Sequence, residues 1–176
     1  MYSLLLFLHS LFRWLVVLSL MYAILRAHRG VRSHGEIRSR WTERPPDASQ
    51  SGRPFTKTDD AIRHWTATIS HIQLMLGCVL YFTSPLIKLF YSSNKVVLTQ
   101  TAAQRELSFF GVIHMSLMLA AIVVITIGSA LAKRREASRE KFATMLRWFS
   151  IAGVLILIAV PWPFSPLVSR PLFRTF

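Results

Sequence analysis

Four side chains stand out because they are polar and sit in apolar surroundings: His9 and Arg13 in "LLLFLHSLFRWLVVLSLMYAIL", His71 in "ISHIQLMLGCVLYF" and His114 in "FFGVIHMSLMLAAIVV". An ionisable group at membrane depth costs roughly 2.5 to 3.5 kcal/mol on insertion scales, so such groups usually face a bundle interior and have a task there. Imidazoles from different helices at one depth can hold a haem iron from both sides. A guanidinium nearby can pair with a haem propionate, a quinone oxygen or backbone carbonyls. Hydrogen-bonded core histidines, and an arginine that snorkels or is satisfied by carbonyls, are the plainer alternatives.

The elements that must position these groups follow from composition. The chain has 176 residues, 52% of them hydrophobic, with a net charge of +13 and a mean hydropathy of +0.40. That combination excludes both an ordinary soluble domain and a disordered chain. A helix needs roughly 20 apolar residues to cross a hydrocarbon core. Four stretches qualify, at about 3–25, 63–84, 107–131 and 146–160. The expected fold class is therefore all-α, an integral membrane up-down-up-down four-helix bundle forming one domain. Pro85 should interrupt the second stretch and start a short interfacial segment, and Pro161 and Pro163 should end the fourth. "TAAQ" at 101–104 reads as a capping box.

Charge suggests orientation. Residues 26–63 hold nine Lys and Arg and residues 132–147 hold six, against five on the other side of the spans; the remaining one is Arg13. By the positive-inside rule both basic loops face the cytoplasm and both termini face outward, as expected for a multi-pass protein of a bacterial inner membrane. The first span lacks the basic n-region and cleavage site of a signal peptide and is expected to be retained. The loop 26–60 is rich in Arg, Pro, Ser and Gly and is expected to be flexible; its charge fits lipid contact, and nucleic-acid binding is not expected. His28, His34 and His64 lie in or beside the basic loops and are expected to be solvated. The single cysteine, Cys78, allows neither a disulfide nor covalent haem attachment, so any cofactor is held noncovalently.

Depth sorts the candidates. At 1.5 Å per residue, His9 and His114 lie about 9 and 10 Å below the same boundary, level with each other. His71 lies roughly 8 Å deeper, and Arg13 about 6 Å below His9 on the same helix face. His9 and His114 are thus the expected axial pair. His71 is an alternate ligand, a hydrogen-bond donor to a quinone carbonyl or a proton relay, and Met118 offers a His-Met alternative. Phe110, Gly111, His114, Met118, Ala121, Ile125 and Gly128 form one stripe on the third span. His64, Thr68, His71, Met75, Cys78 and Phe82 form one on the second. Both are equally compatible with ordinary helix packing.

The segments "LHSLFRW", "ISHIQLMLGCVLYFTSP", "FFGVIHMSLMLAAIVVITIGSALAKR" and "PWPF" resemble a family of small bacterial four-span proteins labelled cytochrome-b-like. The likeness covers nearly all of the spans and little of the first basic loop. It implies a noncovalent b-type haem protein of the membrane, with His9, His71 and His114 at the family's intramembrane histidines and Arg13 at its arginine. Where the family commonly has an acidic residue before the third histidine, this chain has Ile113, which removes the basis for carboxylate-tuned proton chemistry at His114. The expectation is a haem b electron-transfer protein linking the quinone pool to a redox complex, an electron carrier more than a stand-alone enzyme. The alternative is a cofactor-free accessory or scaffold subunit of a larger membrane complex. A transporter fits less well, since no span carries a carboxylate or is visibly broken. Homo-oligomerisation is compatible with either.

Overall fold

The computed structural model describes residues 2–40, 52–92, 102–163 and 168. Its elements are α1 (Tyr2–Arg40), α2 (Lys57–Thr83), α3 (Pro85–Ser92), α4 (Ala102–Ser108), a π-helical turn (Phe109–Ile113), α5 (His114–Arg134) and α6 (Ser138–Ala159). There is no strand among the described residues. α1, α2, α5 with the turns before it, and α6 are each long and apolar enough to cross a membrane. The chain is an all-α, four-helix membrane protein.

Local chemistry sets the helix ends. Thr56 caps α2: its hydroxyl accepts from the Asp59 backbone N–H at 3.3 Å, while the Asp59 carboxylate accepts from the Thr56 N–H at 3.0 Å. This reciprocal pair satisfies two donors that a helix start leaves orphaned. At the other end Ser84 is extended (φ −68°, ψ 126°), as the residue before a proline prefers. Pro85 then opens α3, where its missing N–H costs nothing. Val160, which precedes Pro161, ends α6 in the same way (φ −74°, ψ 130°). The capping box expected at 101–104 lies outside the described residues, since Thr101 is not among them.

α1 contacts α2 and α6, and α5 contacts α2 and α6, so the four long helices close into a ring. Small side chains form the seams: Ala23, Ala27, Ala121, Ala132, Ala152 and Ala159 are buried against Phe142, Met145, Phe149 and Ile125. Close backbone approach of this kind is how helices associate where lipid removes the usual hydrophobic drive. Large apolar residues such as Leu4, Leu18, Met75, Phe82, Val123 and Val154 point outward, which suits contact with lipid chains.

Two expectations change. Residues 26–40 are not loop: α1 runs unbroken to Arg40. The extension has its own packing, with Ala27 and Gly30 against α6 and Arg26 bonded through Nε to Asp59 Oδ1 at 2.8 Å. Arg53 Nη2 meets the same oxygen at 2.7 Å, and Phe55 N–H donates to Ser138 Oγ at 3.0 Å, so residues 52–56 are fastened too. His34 is not solvated either; it is buried. Its Nδ1–H donates to the Gly30 carbonyl at 2.7 Å, and its ring lies against Phe142.

Candidate functional site

The site is assembled by all four long helices at the end of the bundle opposite the α5–α6 turn. α1 contributes His9 and, one turn on, Arg13. α2 contributes Gln73 and Gly77, which lies against the His9 ring: a Cβ there would be 3.4 Å from its Cε1. The π-helical turn delivers His114 at the first position of α5. A π-turn inserts a residue into the helical register and so rotates the rest of the helix about its axis. Its cost is a disturbed carbonyl ladder, met in part by Tyr81, whose hydroxyl donates to the Gly111 carbonyl at 2.8 Å. The Tyr91 hydroxyl donates in turn to Tyr81 at 2.9 Å.

His9 and His114, expected to be level, are in contact. Their ring centroids are 6.4 Å apart with the planes at 69°. His114 also touches Phe109 and Phe110, with centroids at 5.9 and 5.7 Å. Its Nδ1 lies 2.8 Å from the carbonyl of Ala159, in the last turn of α6. A carbonyl only accepts, so Nδ1 carries the proton and Nε2 keeps a lone pair. The bond also satisfies one of the carbonyls that a helix C-terminus leaves without an intrahelical partner.

His9 is held from α2. The Gln73 amide donates to the His9 carbonyl at 3.0 Å, and its Nε2 lies 3.1 Å from His9 Nδ1 and 3.3 Å from His9 Nε2. One ring nitrogen therefore accepts from Gln73 and the other carries the proton. Gln73 Oε1 is buried and has no hydrogen-bond partner among the described residues. Arg13 is half-buried, with its guanidinium 5.6 Å from the Trp14 ring. Trp14 meets Trp162 edge-on at 6.0 Å.

His71 stands apart from this group. It is exposed, its Nδ1–H donates to the Ala67 carbonyl at 2.7 Å, and its Nε2 lies 3.1 Å from the hydroxyl of Thr126 on α5. Much of the second-span stripe shares that outward direction: His64, Met75, Cys78 and Phe82 are exposed as well. The inward face of α2 is instead Asp59, Arg63, Thr66, Ser70 and Leu80, with Gln73 and Gly77 on the same side. Small hydroxyl residues there allow close approach to α1, which decides the rotation of the helix. The third-span stripe does face inward: Gly111, Ala121, Ile125 and Gly128 are buried.

No group of three or more His, Cys, Asp and Glu exists among the described residues, but a pair of axial ligands would not form one. Two imidazoles on opposite sides of one metal, with metal–nitrogen bonds of about 2.0–2.1 Å, would have centroids roughly 6 to 6.5 Å apart. The His9–His114 separation is of that size and His114 Nε2 keeps a lone pair, while the two rings now meet edge-on. Coordination by both would take one His9 nitrogen out of its bond with Gln73. Gln73, Gly77, Tyr81 and the π-turn are not visible as site elements in the sequence; the only signal is the 3–4 spacing of Gln73, Gly77 and Leu80.

Set against known proteins, the chain matches no family model, no curated protein and no solved structure. The fold and the site define a class only: a four-helix membrane protein with a histidine pair between its first and third crossings.

Proposed function

We propose that this chain binds haem b noncovalently and carries electrons in a bacterial inner membrane, between the quinone pool and a redox partner. The observation that carries the proposal is the His9–His114 pair, two imidazoles from separate helices at a separation that suits one iron. His9 and His114 would hold the haem iron. Bound haem supplies one-electron chemistry whose potential its axial ligands, burial and hydrogen bonds tune. The chain's own part is to hold the His114 tautomer through Ala159, to orient His9 through Gln73 and to place the positive charge of Arg13 where a propionate can meet it.

His71 is the proposed quinone contact. Its Nε2 lies on the exposed surface of the bundle, 3.1 Å from the Thr126 hydroxyl, so a ligand there would displace Thr126, whose proton can turn to the Ile122 carbonyl at 2.7 Å. A quinol hydroxyl arriving from the bilayer could donate there. The fifteen basic residues of 26–63 and 132–147 favour a cytoplasmic position for those segments and an outward position for the site.

A second reading has an observation of its own. Each half-buried imidazole already has a protein partner, Gln73 for His9 and Ala159 for His114, as expected of a cofactor-free accessory subunit. An optical spectrum separates the two. Protein purified in mild detergent from haem-replete cells should show a Soret band, reducible α and β bands, and near-stoichiometric haem by the pyridine haemochromogen assay. A colourless, well-folded preparation would overturn the haem proposal and favour the accessory subunit.

A further inference from the structure

The last turn of α5 and the first turns of α6 border an open surface cavity of about 260 Å³ lined by Leu131, Arg135, Glu140, Thr144, Arg147 and Trp148. Glu140, Thr144, Arg147 and Trp148 come at helical spacing and so share one face of α6, while Leu131 and Arg135 stack one turn apart at the end of α5. Trp148 is pressed onto Gly128, where an added Cβ would collide with it; that contact fixes the back of the cavity. The level is informative. Leu131 ends one apolar stretch and Arg147 and Trp148 begin the next, so the cavity stands where the apolar helix surface gives way to charge.

Its chemistry is cationic. Between 133 and 147 the chain has six Lys and Arg against two carboxylates. The Arg135–Glu140 pair is loose, at 3.8 Å with both side chains more than half exposed (52% and 58%), and such pairs contribute little. No ion pair among the described residues involves Arg147.

We infer that this cavity seats the phosphodiester of an anionic phospholipid headgroup. The guanidinium groups of Arg135 and Arg147 offer forked donors suited to phosphate oxygens, and Thr144 adds a hydroxyl. Trp148 is the kind of ring that lies at the headgroup level, and Leu131 leads from it toward the acyl chains. Basic pockets between membrane helices are suited to such headgroups. The site owes nothing to the histidine pair and holds with or without a cofactor.

Native mass spectrometry of the full chain in detergent tests it, with phosphatidylglycerol, phosphatidylcholine and inorganic phosphate as separate probes. Phosphatidylglycerol should be retained roughly tenfold better than phosphatidylcholine, and inorganic phosphate should neither bind nor displace it at millimolar concentration. The double variant Arg135→Gln/Arg147→Gln should lose that preference, and Glu140→Gln, which removes the competing carboxylate, should strengthen it. Equal retention of the two lipids would overturn the inference, as would an unchanged preference in a monodisperse double variant. If the double variant does not fold, a Glu140→Gln protein with unaltered preference overturns it instead. Displacement of the lipid by free phosphate would assign the cavity to a soluble anion and overturn the lipid assignment.

Discussion

His9 on the first crossing and His114 on the third meet ring to ring, 6.4 Å between centroids, although about a hundred residues separate them in the chain. Neither is held by the other. His114 is fixed by a backbone carbonyl of α6 and His9 by an amide of α2, so all four long helices take part in placing two rings. Each ring's orientation is thus set by a hydrogen bond to a further helix, and His114 keeps a lone pair on Nε2.

Replacing either ring therefore separates site from scaffold. His9→Ala and His114→Ala are each expected to abolish haem retention, while Arg13→Ala keeps haem but shifts its reduction potential or loosens it. Pyridine haemochromogen content and a redox titration of the three purified variants measure this. Equal haem in all three would remove His9 and His114 as ligands.

How far this can be read from the sequence depends on what each feature obeys. The four crossings follow from length and apolarity alone, and the common height of His9 and His114 from counting 1.5 Å per residue. Rotation about the helix axis is harder. Apolar periodicity says little where lipid and protein interior are equally apolar, so His71 and its stripe read as an inward face for packing or a cofactor, yet most of it points outward. The helical continuation of α1 to Arg40 is hidden because Arg, Gly and Ser there look like loop. Its packing comes from tertiary partners, Phe142 and Asp59, that composition does not reveal. No spacing rule announces the π-turn before His114.

Gln73→Leu probes the contact that orients His9. The change removes the donors to the His9 ring and carbonyl, yet it also removes a buried oxygen without a hydrogen-bond partner among the described residues. Hydrogen bonds between membrane helices average about 0.6 kcal/mol, so the loss in stability should stay under about 1 kcal/mol. Haem retention or potential should change far more than the unfolding midpoint. A change confined to stability would show Gln73 to be a packing residue only.

Asp59 is the polar joint of the α1 extension. It lies in the first turn of α2, four residues before the apolar stretch, and is 1% exposed. Burial favours its neutral form, but the hydrogen bonds from Thr56 and the guanidinium groups of Arg26 and Arg53 outweigh this and hold its carboxyl below the usual range. A carboxylate lowered on folding adds stability above its unfolded pKa, about 3.9, that is lost as pH falls through the lower folded value. Thermal stability should thus be flat through neutral pH and fall in acid. Asp59→Asn should cost about 1–2 kcal/mol, the scale of a lost cap with partly exposed ion pairs, and should flatten the acid limb. A variant with the parent's acid profile would place the titration elsewhere.

Gly30→Ala sets two effects of opposite sign against each other. Inside a helix, alanine is favoured over glycine by roughly 0.5–1 kcal/mol, so backbone propensity alone makes the variant more stable. The structure places the Phe142 ring against Gly30, where an added Cβ would collide with three ring carbons. Phe142 is fully buried and also touches His34 and Phe55, leaving the ring little room to retreat. Overpacking of this kind costs about 1–3 kcal/mol, so the clash wins, and Gly30→Ala should lower the unfolding midpoint and raise proteolytic sensitivity between 26 and 40. Gly153→Ala is the control: its nearest neighbour is the tip of Ile24 at 3.5 Å, an ordinary contact, and it should be neutral or stabilising. A stabilised Gly30→Ala protein would mean that residues 26–40 do not pack on α6.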